Sequence, residues 1–339
     1  MKHILTAIVM MATLALYAQE TTDSIQKWSA GRPDGHAPIS VMGDHMHGKG
    51  EWMLSYRYMY MNMGDLKQGS DDASFADALE DYMVTPTEMP MNMHMVGVMH
   101  APSDKITIMA MFNYLSMEMD HLTRMGGTFI TESSGFGDIQ LSGLYHFFNR
   151  NRQSLHAQVG VSIPTGSITE SDVTPASAPN EVELPYPMQI GSGTFDTNLA
   201  LTYLGQTDQV SWGGQLRAIL RFGENDRDFR YGNRQSVMGW FAVKASDWLS
   251  FSTRLEALVV GEIDGADPNL NPMMVITADT ANSGGNFLNG GLGFNVYIPK
   301  GTLKNLRFGF EFATPLYQDL NGIQLKQKET LTFGTQYAF

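Results

Sequence analysis

Two stretches of the chain repeat methionine at every second position: "YMYMNM" at residues 58–63 and "MPMNMHMVGVMH" at 89–100. Alternate positions on a β-strand share a face. Met59, Met61 and Met63 therefore form one row of thioethers, and Met91, Met93 and Met95 a second. Met109 and Met111, in "ITIMAMFNY", begin a third. Soft, unionised thioethers bind Cu(I) or Ag(I) and discriminate against hard Mg²⁺ or Ca²⁺. They also stay competent in acid, where imidazole is lost to protonation. Upstream, "VMGDHMHG" adds Asp44, His45, Met46 and His47. Its imidazoles and carboxylate are borderline ligands that suit Cu(II). The competing reading is that Met is a flexible apolar packer, so that the rows are a greasy lining for small organic solutes. Against generic filler stands the distribution: residues 1–125 hold twenty of the 24 Met, with only Met188, Met238, Met273 and Met274 beyond.

Other chemistry is sparser. Arg57, Arg217, Arg221, Arg254, Glu256, Arg307 and Glu311 fall on the polar registers of alternating segments. They read either as ion pairs that stabilise a lumen or as a charged constriction. A catalytic nucleophile needs a base and a group that orients the base. No G-x-S-x-G elbow is present, and His146 and His156 face each other without an evident Ser or Asp partner. No catalytic residues and no required cofactor are expected, with Cu(I) or Ag(I) as the candidate metal cargo. The formal net charge of −13 argues against nucleic acid.

The elements that would position these residues are strands. In "ETLTFGTQYAF", Leu331, Phe333, Thr335, Tyr337 and Phe339 alternate with Thr332, Gly334, Gln336 and Ala338. "LRFGFEFATPLY" and "WLSFSTRLEALVV" alternate likewise, and their polar faces carry Gly, Ser, Gln and isolated charges, as in a barrel lumen. Strands are read near 52–63, 91–100, 105–119, 137–148, 153–163, 194–204, 209–222, 235–244, 248–261, 287–298, 304–314 and 328–339. Short and long connections alternate between them. That is the architecture of an outer-membrane barrel, with short periplasmic turns and long extracellular loops. The expected fold is an all-β, antiparallel, up-and-down transmembrane barrel of about twelve strands, with ten or fourteen as alternatives. "SDDASFADALEDY" in the first loop reads as a short acidic helix or a solvated loop.

Lys2 followed by the apolar run Ile4–Leu16 and a cut near Ala18 reads as a signal peptide, too short to span a membrane. The domain reading is a signal peptide 1–18, a periplasmic segment 19–50 and a barrel 51–339. The chain has no Cys, which excludes disulfides and thiolate sites. An Arg at the bilayer midplane costs roughly 2–4 kcal/mol, so Arg57 must face inward, and Met53, Met59, Met61 and Met63 go with it. Ile106, Ile108 and Phe112 then face lipid and Met109 and Met111 the lumen. For 91–100 the turn length decides: one spacing sends Met91, Met93, Met95 and Met99 to lipid, the other sends them inward, and the inward reading is preferred.

"MGDHMHGKGEWMLSYRYMYMNM", "MVGVMHAPSDKITIMAMFNY" and "TESSGFGDIQLSGLY" resemble the outer-membrane transporter-like barrels named after the meta-cleavage pathway of phenol degradation. The resemblance implies an outer-membrane location in a Gram-negative bacterium and passage of aromatic or other small solutes. Its Met- and His-rich first half is similar to proteins that accompany copper handling. The expected partners are outer-membrane lipid, a small solute or soft metal ion, and the barrel assembly machinery, whose terminal aromatic signal Tyr337 and Phe339 resemble. The alternatives are a Met-rich copper or silver barrel for sequestration or export, and a structural or enzymatic barrel.

Overall fold

The computed structural model describes residues 27–339, so the expected signal peptide and residues 19–26 lie outside the described residues. Eleven strands form a closed antiparallel ring, each paired with its neighbour in sequence. They are β1 (Trp52–Gly69), β2 (Val84–Ser103), β3 (Ile106–Thr123), β4 (Ile139–Arg150), β5 (Gln153–Ile163), β6 (Asp196–Gln206), β7 (Val210–Arg221), β8 (Arg234–Lys244), β9 (Leu249–Val260), β10 (Gly285–Tyr297) and β11 (Leu306–Ala338). Two further strands, Asp71–Ala73 and Thr128–Phe136, pair outside the ring with β1 and β3.

The last two expected strands occur as one 33-residue element that folds back on itself. Its first arm pairs with β10 from Arg307 to Leu320, and its second pairs with β1 from Leu320 to Ala338. Thr314 Oγ1 donates to the Lys328 carbonyl at 2.8 Å, and Gln318 to that of Gln327 at 2.9 Å, across the bend. Gly322, at φ 60°, makes the reversal with Asn321; glycine takes this left-handed conformation without a Cβ penalty. The eleventh connection is therefore a tight turn rather than the expected long loop. The short turns at 104–105, 151–152, 207–209 and 245–248 share one end with Trp52 and Phe339. The long connections lie at the other end and include a helix, α1 (Phe75–Asp81), capped reciprocally by Ser74 and Asp77.

Side chains alternate as the period-two pattern requires. In β1, Trp52, Leu54 and Tyr56 are exposed while Met53, Ser55 and Arg57 are buried. Ile106, Ile108, Phe112 and Tyr114 of β3, and Phe251, Leu255 and Val259 of β9, continue the exposed apolar belt. The seam closes at the short-turn end, where Trp52 and Phe339 exchange both backbone hydrogen bonds, at 2.8 and 2.9 Å. The Tyr337 and Phe339 rings stack 5.6 Å apart. Deleting Phe339 removes both hydrogen bonds and the stack. The expected result is a clear drop in heat-modifiable barrel in the membrane with export unchanged, read by comparing unheated and boiled samples on detergent gels.

Residues 27–50 were expected to stand before the barrel on the periplasmic side. They lie inside it. Trp28, Asp34, Ala37, Ile39, Val41, Asp44 and His45 are all buried, and the segment runs into the lumen from the short-turn end and back out to Gly50. An irregular segment in a barrel interior must find partners for its backbone carbonyls, and the wall supplies them.

Candidate functional site

The inward polar residues of the wall hold this segment as a plug. Ser250 Oγ donates to the Pro33 carbonyl at 2.8 Å, and Ser211 Oγ to that of Asp34. Arg307 donates to Ala37 O at 2.5 Å and Arg57 to Ile39 O at 2.8 Å. Gln215 donates to Met42 O at 3.0 Å, and His156 Nε2 lies 2.8 Å from Gly43 O. Glu311 accepts from Ser40 Oγ at 2.9 Å. A Cβ on Gly309 would come within 2.8 Å of Ile39 Cβ, and one on Gly334 within 2.9 Å of Ile39 Cγ1. Two wall positions are thus bare where the fully buried Ile39 side chain of the plug presses against them.

The expected lumen charges all sit on inward registers, but they divide by role. Arg57 and Arg307 serve the plug, and Arg307 also bonds Asn295. Arg254 pairs with buried Glu311 at 2.6 Å and with Glu256 at 2.9 Å. Arg221 pairs with Asp196 at 3.1 Å, and its guanidinium lies 5.2 Å from the Tyr231 ring centre. Arg217 lines a cavity.

The methionines of β1, β2 and β3 face inward, whereas Met83, Met125, Met273 and Met274 of the long connections are exposed. Three residues in register across β1, β2 and β3 give the rows Met53–Met99–Met109 and Met61–Met91–Met117, with Met59 opposite Met93 beside them. The rows do not form one continuous ladder. Met61, Met63, Met91 and Met117 join Met89 and Met119 in a packed cluster, closed from the long-loop end by Leu184, Met188 and Ile190. Met53, Met99 and Met109 pack with Leu144 near the short-turn end, touched by Met42, Met46 and Met95. Between the two clusters is a cavity of about 240 Å³, onto which Met42, Met59, Met93, Met95 and Met111 open together with Arg57, Asn113, Gln140 and Arg217. His94 and His100 point the other way: His94 bonds Tyr56 Oη at 2.8 Å, and His100 stacks on Trp52.

A second constellation lies in the plug, beside a cavity of about 910 Å³ that opens at the short-turn end. His36, Asp44 and His45 are buried, with one ligand atom of each within 4.8 Å of the others. His45 Nδ1 is 2.9 Å from Asp44 Oδ1, and His36 Nδ1 is 3.6 Å from Asp44 Oδ2. The His45 ring packs edge-on against His36 at 4.4 Å and against His47 at 4.8 Å. Met46 lines the same mouth. Burial, reinforced by the Arg307 charge and by His45, pushes the His36 pKa down to about 3. Burial and the neighbouring imidazoles do the same to His47. Both rings are neutral at pH 7 and keep a lone pair free to bind an electrophile. Asp44, His45, Met46 and His47 were legible as candidate ligands, but His36 was missed. The signal for it was weak: His36 stands between Gly35 and Pro38, turn formers that let the segment double back onto 44–45.

No family model matches the chain, and no curated protein matches it. Solved structures do. An outer membrane channel from Pseudomonas putida F1 aligns with a TM-score of 0.61 over 89% of this chain and 100% of its own, at 14% identity. The transport unit of the autotransporter AIDA-I from Escherichia coli aligns with a TM-score of 0.53 over 89% and 94%, at 10% identity. At such identities the likeness is one of fold: the chain is a closed antiparallel β-barrel with the architecture of these outer-membrane proteins.

Proposed function

We propose that the protein is an outer-membrane barrel through which small solutes pass, with the Met-lined lumen as the route and residues 28–47 as its stopper. The observation that carries this reading is the 240 Å³ cavity held between two closures, the plug on one side and the 184–190 segment on the other. The apolar outer belt supports the membrane placement. The cavity lies below the 300–1,000 Å³ typical of drug-sized ligands, so the cargo is a single-ring organic molecule or an ion. Flexible thioether walls adapt to apolar shapes, in keeping with the resemblance to barrels named after phenol degradation. The protein should fractionate with outer membranes and shift its gel mobility on boiling. In liposomes it should admit small uncharged aromatics several-fold faster than sugars of equal size. Equal rates for the two solute classes, or a native soluble pool, would sink the proposal.

A second reading is favoured by one feature: five thioethers converge on a single cavity. In it the cargo is Cu(I) or Ag(I), and the barrel sequesters or exports the ion.

A further inference from the structure

We propose that His36, Asp44 and His45 form a binding site for a borderline divalent transition-metal cation, Cu(II) or Zn(II), which cross-links the two limbs of the plug. The site is separate from the Met-lined cavity and does not depend on what passes through it.

The spacing is the first argument. His36 Nδ1 lies 3.6 Å from Asp44 Oδ2, too long for a useful hydrogen bond. Two ligands at ~2.0–2.1 Å from one tetrahedral ion stand about 3.3–3.4 Å apart. The separation therefore suits a shared metal better than a shared proton. Small rotations about the His36 and His45 side chains would bring the remaining ligand atoms, already within 4.8 Å, to the same point.

Unmet bonding capacity is the second. His36 is only 8% exposed, and its Nδ1 has no hydrogen-bond partner among the described residues. A buried polar atom left so is uncommon and costs stability unless something occupies it. Asp44 is partly accounted for, since its Oδ2 accepts from Ala37 N at 3.1 Å and its Oδ1 from His45. That leaves each carboxylate oxygen a lone pair for an ion.

Charge sets the ion's type. The guanidiniums of Arg307 and Arg57 bond the carbonyls of Ala37 and Ile39, just beyond His36. One carboxylate faces these two cations, so the site must hold its ion through imidazole donation more than through charge. This favours Cu(II) and Zn(II), at the strong end of the order for nitrogen ligands, over Ca²⁺ or Mg²⁺. The mouth cavity provides room for a water or for the neighbouring His47 as the remaining ligand.

Because the ligands lie at 36 and 44–45, an ion bound there closes the loop between them and favours the folded, docked plug by linkage. The test is titration of the purified full-length barrel in detergent with Cu(II), and separately with Zn(II), following stoichiometry and, for Cu(II), the nitrogen couplings in its EPR spectrum. One ion per chain with coupling to at least two nitrogens is expected. His36→Gln and His45→Gln should each weaken binding by about 10–100-fold or more while the heat-dependent gel shift persists. The variant with Leu at the five cavity methionines should bind the divalent ion as the wild type does, which separates failure of this site from failure of the thioether reading. Substoichiometric binding in the wild type, or unchanged affinity in folded His36→Gln and His45→Gln, would overturn the assignment.

Discussion

Deleting residues 28–47 is expected to turn a poorly conducting barrel into an open pore. Eight-stranded barrels are filled by their own side chains and sixteen-stranded ones hold a water channel. Here eleven strands, the last doubled back, enclose a lumen that is occupied by chain rather than by side chains alone. Single-channel conductance in planar bilayers should rise by on the order of tenfold when that chain is removed. The ring should survive, because its ladder hydrogen bonds do not involve the plug and the vacated wall groups gain water. Gentler variants test the same idea. Arg57 and Arg307 each give the plug a charge-assisted bond to a carbonyl, worth ~1.5–3 kcal/mol apiece. At 1.4 kcal/mol per tenfold, Arg57→Leu with Arg307→Leu should shift the plugged-to-unplugged ratio by ~10²–10⁴. Gly309→Leu should act without removing any bond, by placing a side chain where Ile39 now rests. Conductance equal to the wild type in all three variants, with the gel shift retained, would mean that the segment does not obstruct the path.

The wall of this barrel could be read from the sequence because its signal is local. Trp52, Leu54 and Tyr56 alternate with Met53, Ser55 and Arg57, and a strand between lipid and lumen has no other way to arrange them. The inward face of β2 is the preferred one but arises by another route than the turn length suggested: Ser103, not His100, pairs with Ile106, and a register shift between His100 and Ser103 sets His100 opposite Ile108. The plug was illegible for the opposite reason. Residues 28–47 have no period, and their polar character suited a solvated segment equally well. Their burial depends on residues more than a hundred positions away, such as Ser250 beneath Pro33 and Arg307 beneath Ala37. Those wall groups were visible as inward and polar, but nothing local tells a serine that faces water from one that donates to a docked carbonyl. The same holds for His36, which acquires Asp44 and His45 as neighbours only once the plug has folded. The doubled last element hid a turn for a related reason. Asn321-Gly322 is a turn signal, yet the flanking arms "YQDL" and "IQLKQKE" are too polar to look like strand.

Replacing Met42, Met59, Met93, Met95 and Met111 with Leu should separate the two readings of the lumen. These five, rather than the first-noted rows as a whole, open onto the 240 Å³ cavity. Leu preserves volume and apolarity and removes only sulfur. Such swaps cost under ~1.5 kcal/mol each, and less where the side chain lines a void, so the barrel should still show its gel shift. Neighbouring strands lie ~4.8 Å apart and alternate residues on one strand ~6.6–6.8 Å, so Met59 of β1, its pair partner Met93 of β2 and Met95, two residues further along β2, can bring sulfurs to one ion, while Met111, opposite Gly97, approaches the cavity from the Met95 side. If the cargo is a soft metal, Ag(I) binding should fall by more than the roughly 10–100-fold that loss of outer-shell partners alone costs a metal site, and uptake of small aromatics should be unaffected. A matched variant, Met61→Leu with Met63→Leu and Met91→Leu, alters sulfurs in the packed cluster and should leave Ag(I) affinity where it was. If the lining is a slide for apolar solutes, neither variant changes Ag(I) affinity, because the wild type has no specific site, and aromatic flux stays within about twofold, since Leu and Met differ little in volume. A loss confined to the cavity five is the outcome that only a thioether site can produce; an equal loss in the packed three would place the sulfurs' effect on stability instead of on binding.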